Sequence, residues 1–240
     1  MKSVILIGLV LLSAGVSLAQ SSDRSSDRSS DRPLPATRPA TTQATTQPAY
    51  EVIIDCEVPE LQEWADSLRP IVEKWYPIIV QTLPSEGYSA PRKFTIHVRN
   101  ARGVAYTAGT HIICAADYFK NHQDDRGAVV HELVHVVQQY RGRGNPGWLV
   151  EGLADYIRWF KYEPTNKRPR PRPDRAKYTD SYRVTGAFLE WLAANKDHEI
   201  AVKLNAAMRQ GRYAPQLWQE YTGQTVDELW AEYIEALRAK

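Results

Sequence analysis

DDRGAVVHELVHVVQQYRGRGNPGWLVEGLADY, residues 124 to 156, holds two apolar-periodic segments separated by a run of turn formers. In the first segment Ala128, Val129, Leu133, Val136 and Val137 surround the histidines at helical spacing. Asp124 or Asp125 is placed to cap the start, and Gly142 to end the helix after Tyr140 and Arg141. A helix puts residues four apart on one face, so His131 and His135 point the same way and can share one metal ion. Glu132 lies one residue round from His131, at the rim of such an ion. A carboxylate there can take a proton from water whose pKa zinc has lowered to about 7.

Gly142, Gly144, Asn145, Pro146 and Gly147 then force a turn. Leu149, Val150, Leu153, Ala154 and Ile157 mark a second amphipathic helix, expected to pack antiparallel against the first. A catalytic zinc takes three protein ligands and keeps a fourth position for water, so two imidazoles need a third partner. Glu151, in the first turn of the second helix, is the expected ligand. Asp155, one turn on, is placed to accept the other ring hydrogen of a ligand histidine. An HExxH string by itself also occurs by chance, and carboxylates at such positions also serve as caps or solvated groups. The pairing of the two segments is what points to a zinc hydrolase site.

An HExxH helix followed by a helix reading W-L-x-E-G-x-A-x-Y resembles the glutamate-zincin metallopeptidases. The closer resemblance is to the basic secretory proteins, peptidases of plants and bacteria. It runs through "GVAYTAG", "HELVHVVQ", "PGWLVEGLADYIR", "YRVTGAFLEWL" and "TVDELWAEY", across residues 50 to 240. The resemblance implies a zincin-like α+β fold and hydrolysis of peptide bonds, with His131, His135 and Glu151 on zinc and Glu132 as general base. The interval from His135 to Glu151 is shorter than in the thermolysin and aminopeptidase N types, so Asp155 stays open as the third ligand. Tyr182 falls in the family's Y-x-V-T string, where a phenol near zinc could donate to the oxyanion of a tetrahedral intermediate. Tyr178 competes for that role, and either tyrosine could be purely structural.

Met1 to Ala19 carries a lysine, an apolar run from Val4 to Leu12 and the small-residue exit Ser17-Leu18-Ala19, the pattern of a cleaved secretory signal peptide. Its apolar core is short for a membrane anchor, and no later segment is apolar enough to span a bilayer. The expected location is therefore secreted, periplasmic or cell-surface. Residues 20–49 hold three Ser-Ser-Asp-Arg copies and two Thr-Thr-Gln repeats, with too little apolar area to offset the entropy of ordering. They form a spacer before one domain, residues 50–240.

That domain carries 25 Lys plus Arg against 25 Asp plus Glu. The balance gives no support to nucleic-acid binding, which would want a concentrated basic face, and the family resemblance implies a peptide or protein as the partner. A non-catalytic binding module on the same scaffold, or a zinc hydrolase of a non-peptide substrate, are the alternatives. The presence of Glu132 argues against the first. No loop dedicated to calcium stands out. Cys56 and Cys114, in an exported chain, form either one disulfide or two buried thiols.

The flanking sequence predicts an α+β domain, a small antiparallel or mixed sheet packed on the HExxH helix and followed by a helical C-terminal half. Glu51 to Ile54 and Phe94 to Val98 read as strands, and Val104 to Thr107 with His111 to Cys114 as a hairpin bordering the cleft. Pro59 to Leu83 reads as a helix interrupted by Pro70 and Pro77, with Leu61, Trp64, Leu68, Ile71, Val72 and Trp75 on its inner side. Glu163 to Lys177, rich in proline and arginine, is an extended connection that could wall the cleft. Asp180 to Ala194, Glu199 to Gln210 and Thr225 to Ala239 read as helices, the last opened by a capping box. Trp191, Leu192, Leu204, Met208, Trp218, Leu229, Trp230 and Tyr233 supply their core. His97, His111, His122 and His198 lack ligand spacing and are assigned no chemistry.

Overall fold

The computed structural model describes residues 50–140 and 144–239. The signal peptide, the spacer over 20–49 and Gly142 as a helix stop lie outside these residues. Four strands, β1 (Glu51–Cys56), β2 (Lys93–Arg99), β3 (Ala105–Ala108) and β4 (His111–Ala115), form one mixed sheet in the order β1-β2-β4-β3. β1 and β4 both run parallel to β2, while β3 turns back antiparallel on β4. The expected hairpin is thus present. It closes through Gly109, whose φ of 62° is the left-handed conformation a tight turn needs.

One face of the sheet is apolar. Phe94, Ile96 and Val98 of β2 are buried while their neighbours alternate outward, as the period of a half-covered strand requires. Over that face lie α1 (Gln62–Asp66) and α2 (Arg69–Thr82). The expected interruption falls at Ser67 and Leu68. Pro70 opens α2 in its first turn, where its missing N–H costs nothing, and Pro77 sits inside α2 without ending it. Because the phase resets at that break, Tyr76 and Ile79 reach the core, whereas Ile71 and Trp75 are only partly buried.

Cys56 and Cys114 are free thiols. Cys56 pairs in register with Val98, and Val98 with Cys114, so the two stand on the same row two strands apart. That is about 9–10 Å, beyond the reach of a disulfide.

A short α3 (Ala116–Phe119), not expected from the sequence, leads to α4 (Gly127–Gln138). Neither aspartate caps α4; the N-cap is Arg126, without a side-chain bond. Asp125 instead accepts hydrogen bonds from Tyr118 Oη at 2.8 Å and from the Arg158 guanidinium. At the other end Gln139 adopts the left-handed conformation, with φ 42°. Every residue of α4 except His135 is buried, so this is a central helix and not a surface one. α5 (Gly147–Ile157) follows and runs on into one π-helical turn at Arg158–Tyr162. Contacts between positions 131 and 155, 135 and 151, and 138 and 150 run in opposite senses along the two helices, the antiparallel packing expected.

The C-terminal half is helical, with α6 (Tyr182–Asn195) capped by Ser181, α7 (Ile200–Arg209), an additional α8 (Gln216–Thr222), and α9 (Val226–Arg238) opened by the Thr225–Glu228 capping box. Leu192, Leu204, Met208, Trp218, Leu229 and Tyr233 are buried, with Trp191 and Trp230 partly so. Glycines let α5 and α6 approach closely. A Cβ on Gly152 would stand 2.1 Å from Thr185 Cγ2, and one on Gly186 would stand 3.0 Å from the backbone nitrogen of Tyr156. The proline-rich connection contains a 3-10 turn at Thr165–Lys167 and a hydrogen-bonded turn at 173–175, and none of its residues lines the cleft described below.

Candidate metal centre

The antiparallel pair α4 and α5 brings three donor atoms together. His131 Nε2 lies 3.1 Å from Glu151 Oε2 and 3.2 Å from His135 Nε2, and His135 Nε2 lies 3.3 Å from Glu151 Oε2. The triangle is nearly equilateral. Tetrahedral coordination with bonds of about 2.0–2.1 Å places donors about 3.3 Å apart, so this set fits a zinc-sized ion as it stands. Among the described residues these three form the one group with that property. Asp155, the alternative ligand, is turned away from the triangle and meets the other side of the His131 ring, Oδ1 to Nδ1 at 2.8 Å.

His135 is held in a different way. Its Nδ1–H donates to Gln138 Oε1 at 2.7 Å, and the Gln138 amide donates to the Val150 carbonyl at 2.9 Å. Gln138 is 2% exposed and ties the first helix to the second. With its amide orientation set by Val150, its oxygen faces His135. In the neutral ring Nε2 then presents its lone pair to the triangle.

Burial disfavours a charge on His131, but its hydrogen bonds to Asp155 and Glu151, with the charges of Asp155 and Glu132, outweigh this and raise its pKa to about 9. Burial likewise pushes the Glu151 pKa up, and is outweighed by the hydrogen bonds from His131 and His135 and by their charges, which bring it down to about 2. Without a cation, a protonated His131 joins the two carboxylates, one N–H to each.

Glu132 is 7% exposed, and its Oε2 accepts a hydrogen bond from Thr107 Oγ1 on β3 at 2.7 Å. The triangle and Glu132 open onto a cleft of about 610 Å³, lined on one side by Ala105, Tyr106, Thr107 and Gly109. The hairpin therefore borders the cleft as expected. A second cavity of about 370 Å³, which also touches His131 and Glu132, continues past Val104, Arg158 and Arg183. Tyr182, half exposed, lines both cavities with its ring 6.5 Å from that of His131. Tyr178 is elsewhere, packed on Trp148 and donating to Asp227 at 3.0 Å. It lines neither cavity.

Two side-chain roles at the site escaped the sequence reading, that of Thr107, expected only as part of the strand bordering the cleft, and that of Gln138. Gln138 carries a signal in retrospect, since it follows His135 by three and so shares its face. Thr107 has none, because only the sheet brings it beneath the helix. His97 and His111 prove to be linked, His97 Nε2 to His111 Nδ1 at 3.0 Å and His97 Nδ1 to Asp55 at 3.2 Å. Both His97 nitrogens are engaged with neighbours on opposite sides, so the three do not converge on one point. His122 is stacked on Tyr118.

Fold and site together define an α+β protein with a small mixed sheet, in which two histidines and one carboxylate, a possible metal-binding triad, line an open cleft. The chain belongs to the basic secretory protein family, the peptidases of plants and bacteria, whose family model matches residues 63–233. No curated protein and no solved structure matches it. No helix among the described residues is long and apolar enough to cross a membrane.

Proposed function

We propose that this family member is an exported, zinc-dependent metallopeptidase of the glutamate-zincin type, with a zincin-like arrangement of strand, cleft and paired helices. The observation that carries the reading is the donor triangle of His131, His135 and Glu151, with a buried carboxylate, Glu132, beside it. When bound there, zinc would supply acidification of a water molecule and polarisation of the scissile carbonyl. Asp155 and Gln138 hold the two imidazoles in the tautomer that offers Nε2 to the ion. Glu132 takes a proton from the attacking water and delivers it to the leaving nitrogen. Tyr182 donates a hydrogen bond to the developing oxyanion.

The substrate lies extended along β3. The Ala115 N–H bonds to the Val104 carbonyl, so Val104 and Tyr106 face β4 with their backbone groups while those of Ala105 and Thr107 face the open edge. Main-chain pairing there binds a peptide of almost any sequence and leaves selection to side-chain contacts. Export follows from the Met1 to Ala19 signal.

The test is hydrolysis of a protein mixture by purified protein with and without a chelator, with zinc content measured. Chelator-sensitive cleavage is expected. Glu132→Gln should keep stoichiometric zinc and lose at least about 100-fold in kcat. Cleavage at the parental rate by this variant removes Glu132 as base, and chelator-insensitive cleavage removes the metal. Zinc binding without any cleavage leaves a binding module.

A further inference from the structure

We infer that Thr107 is a positioning residue for Glu132, coupling the strand that receives substrate to the group that moves the proton. The inference rests on the peptidase reading above and adds to it a residue on a different element. Thr107 Oγ1 lies 2.7 Å from Glu132 Oε2 and 3.1 Å from the Glu132 carbonyl oxygen. A hydroxyl has one hydrogen to give. The shorter contact, to an ionised acceptor, takes it, because charge-assisted hydrogen bonds are both shorter and stronger.

Glu132 needs such a partner. The terminal torsion of a carboxylate is broad, so burial of Glu132 does not by itself fix which oxygen faces the cleft. With Oε2 held by Thr107, Oε1 is the oxygen left for water. The proton from water goes to Oε1 and leaves from it, while Thr107 keeps its own proton throughout. No other side chain among the described residues is seen donating to this carboxylate.

The same residue faces two ways. Its side chain points under α4 to Glu132, while its N–H and C=O belong to the open edge of β3. A peptide that pairs with Thr107 through its main chain therefore fixes the strand to which the base is tethered. Productive binding and alignment of the base become one event, so loss of the hydroxyl should appear in kcat more than in KM.

The experiment compares Thr107→Ser with Thr107→Ala, which both lack the methyl and differ only in the hydroxyl. Zinc content and thermal midpoint are measured for each, and Thr107→Val preserves the β-branched shape. The serine variant should stay within a few-fold of the parent in kcat. The alanine and valine variants should fall by roughly 10- to 100-fold with KM little changed and zinc retained. In a Glu132→Gln background, Thr107→Ala should cost nothing further, because the partner through which it acts is gone. A second readout needs no metal. The carboxylate infrared difference band between the parent and Glu132→Gln should shift when the same difference is taken in the Thr107→Ala background. Equal kcat for the serine and alanine variants with an unshifted band overturns the inference, as does a loss confined to KM. If instead Glu132→Gln cleaves normally, the peptidase reading fails at its base, and the band alone decides whether Thr107 holds this carboxylate.

Discussion

Gln138 is the residue that makes the two imidazoles of the candidate centre unequal. His131 is backed by a carboxylate, His135 by a neutral amide anchored on the neighbouring helix. A carboxylate behind a ligand histidine increases its basicity, whereas an amide fixes its orientation without adding charge. Gln138→Leu should therefore weaken zinc binding about 10- to 100-fold, read by competition with a chelating dye. Gln138→Glu preserves the acceptor and should recover much of that affinity. Equal affinity for the parent and the leucine variant would show that the amide only packs. The side chain is buried, so thermal midpoints need to be taken with metal removed to separate folding from binding.

At the level of elements, the site depends on how closely α5 can approach α6. Glu151 and Asp155 both lie on α5, and Gly152 between them rests against Thr185, a buried β-branched side chain whose hydroxyl is bonded to the Tyr178 carbonyl. Thr185 cannot yield by rotating freely. Gly152→Ala should thus push the helices apart, costing about 1–3 kcal/mol, at about 2–4 °C of melting temperature per kcal/mol for a domain of this size. Because the displaced helix carries Glu151, zinc affinity should fall as well. Calorimetry and metal titration on this one variant check both. A stable variant with parental affinity would mean that α6 can yield without moving the ligand.

For the molecule as a whole, the donor triangle links protonation, metal and stability. His131 has its pKa raised from 6.5 to about 9, so its interactions stabilise the metal-free fold fully below 6.5 and are lost as pH rises through 9. Glu151 has its pKa lowered from 4.5 to about 2, so its contribution is present above 4.5 and lost as pH falls through 2. Between 4.5 and 6.5 both contributions are intact. The metal-free protein should lose melting temperature from pH 6.5 to 9. A zinc-loaded protein should lack this loss, since a ligand imidazole has already given up that proton. At pH 7 zinc binding should release about one proton, measurable by titration calorimetry in buffers of different ionisation enthalpy. A metal-free melting temperature that is flat over that range would contradict the raised His131.

The amino-acid sequence by itself determined the two helices and the order of ligand candidates along them, because helical periodicity is local and places His131 above His135 without help from the rest of the chain. It also determined the hairpin, since Gly109 permits the only conformation that a short turn there requires. Tertiary structure set Glu151 against His131 Nε2 and Asp155 against Nδ1, because both lie on one face of α5 and only the antiparallel offset against α4 says which carboxylate meets which nitrogen. It placed Tyr182 on the wall of both cavities and Tyr178 on neither. It separated Cys56 from Cys114 by placing β2 between them, a strand order that no local pattern encodes. It alone brought Thr107 under Glu132, since contacts between a sheet edge and a helix depend on packing across the core, where the chain's own spacing carries no information.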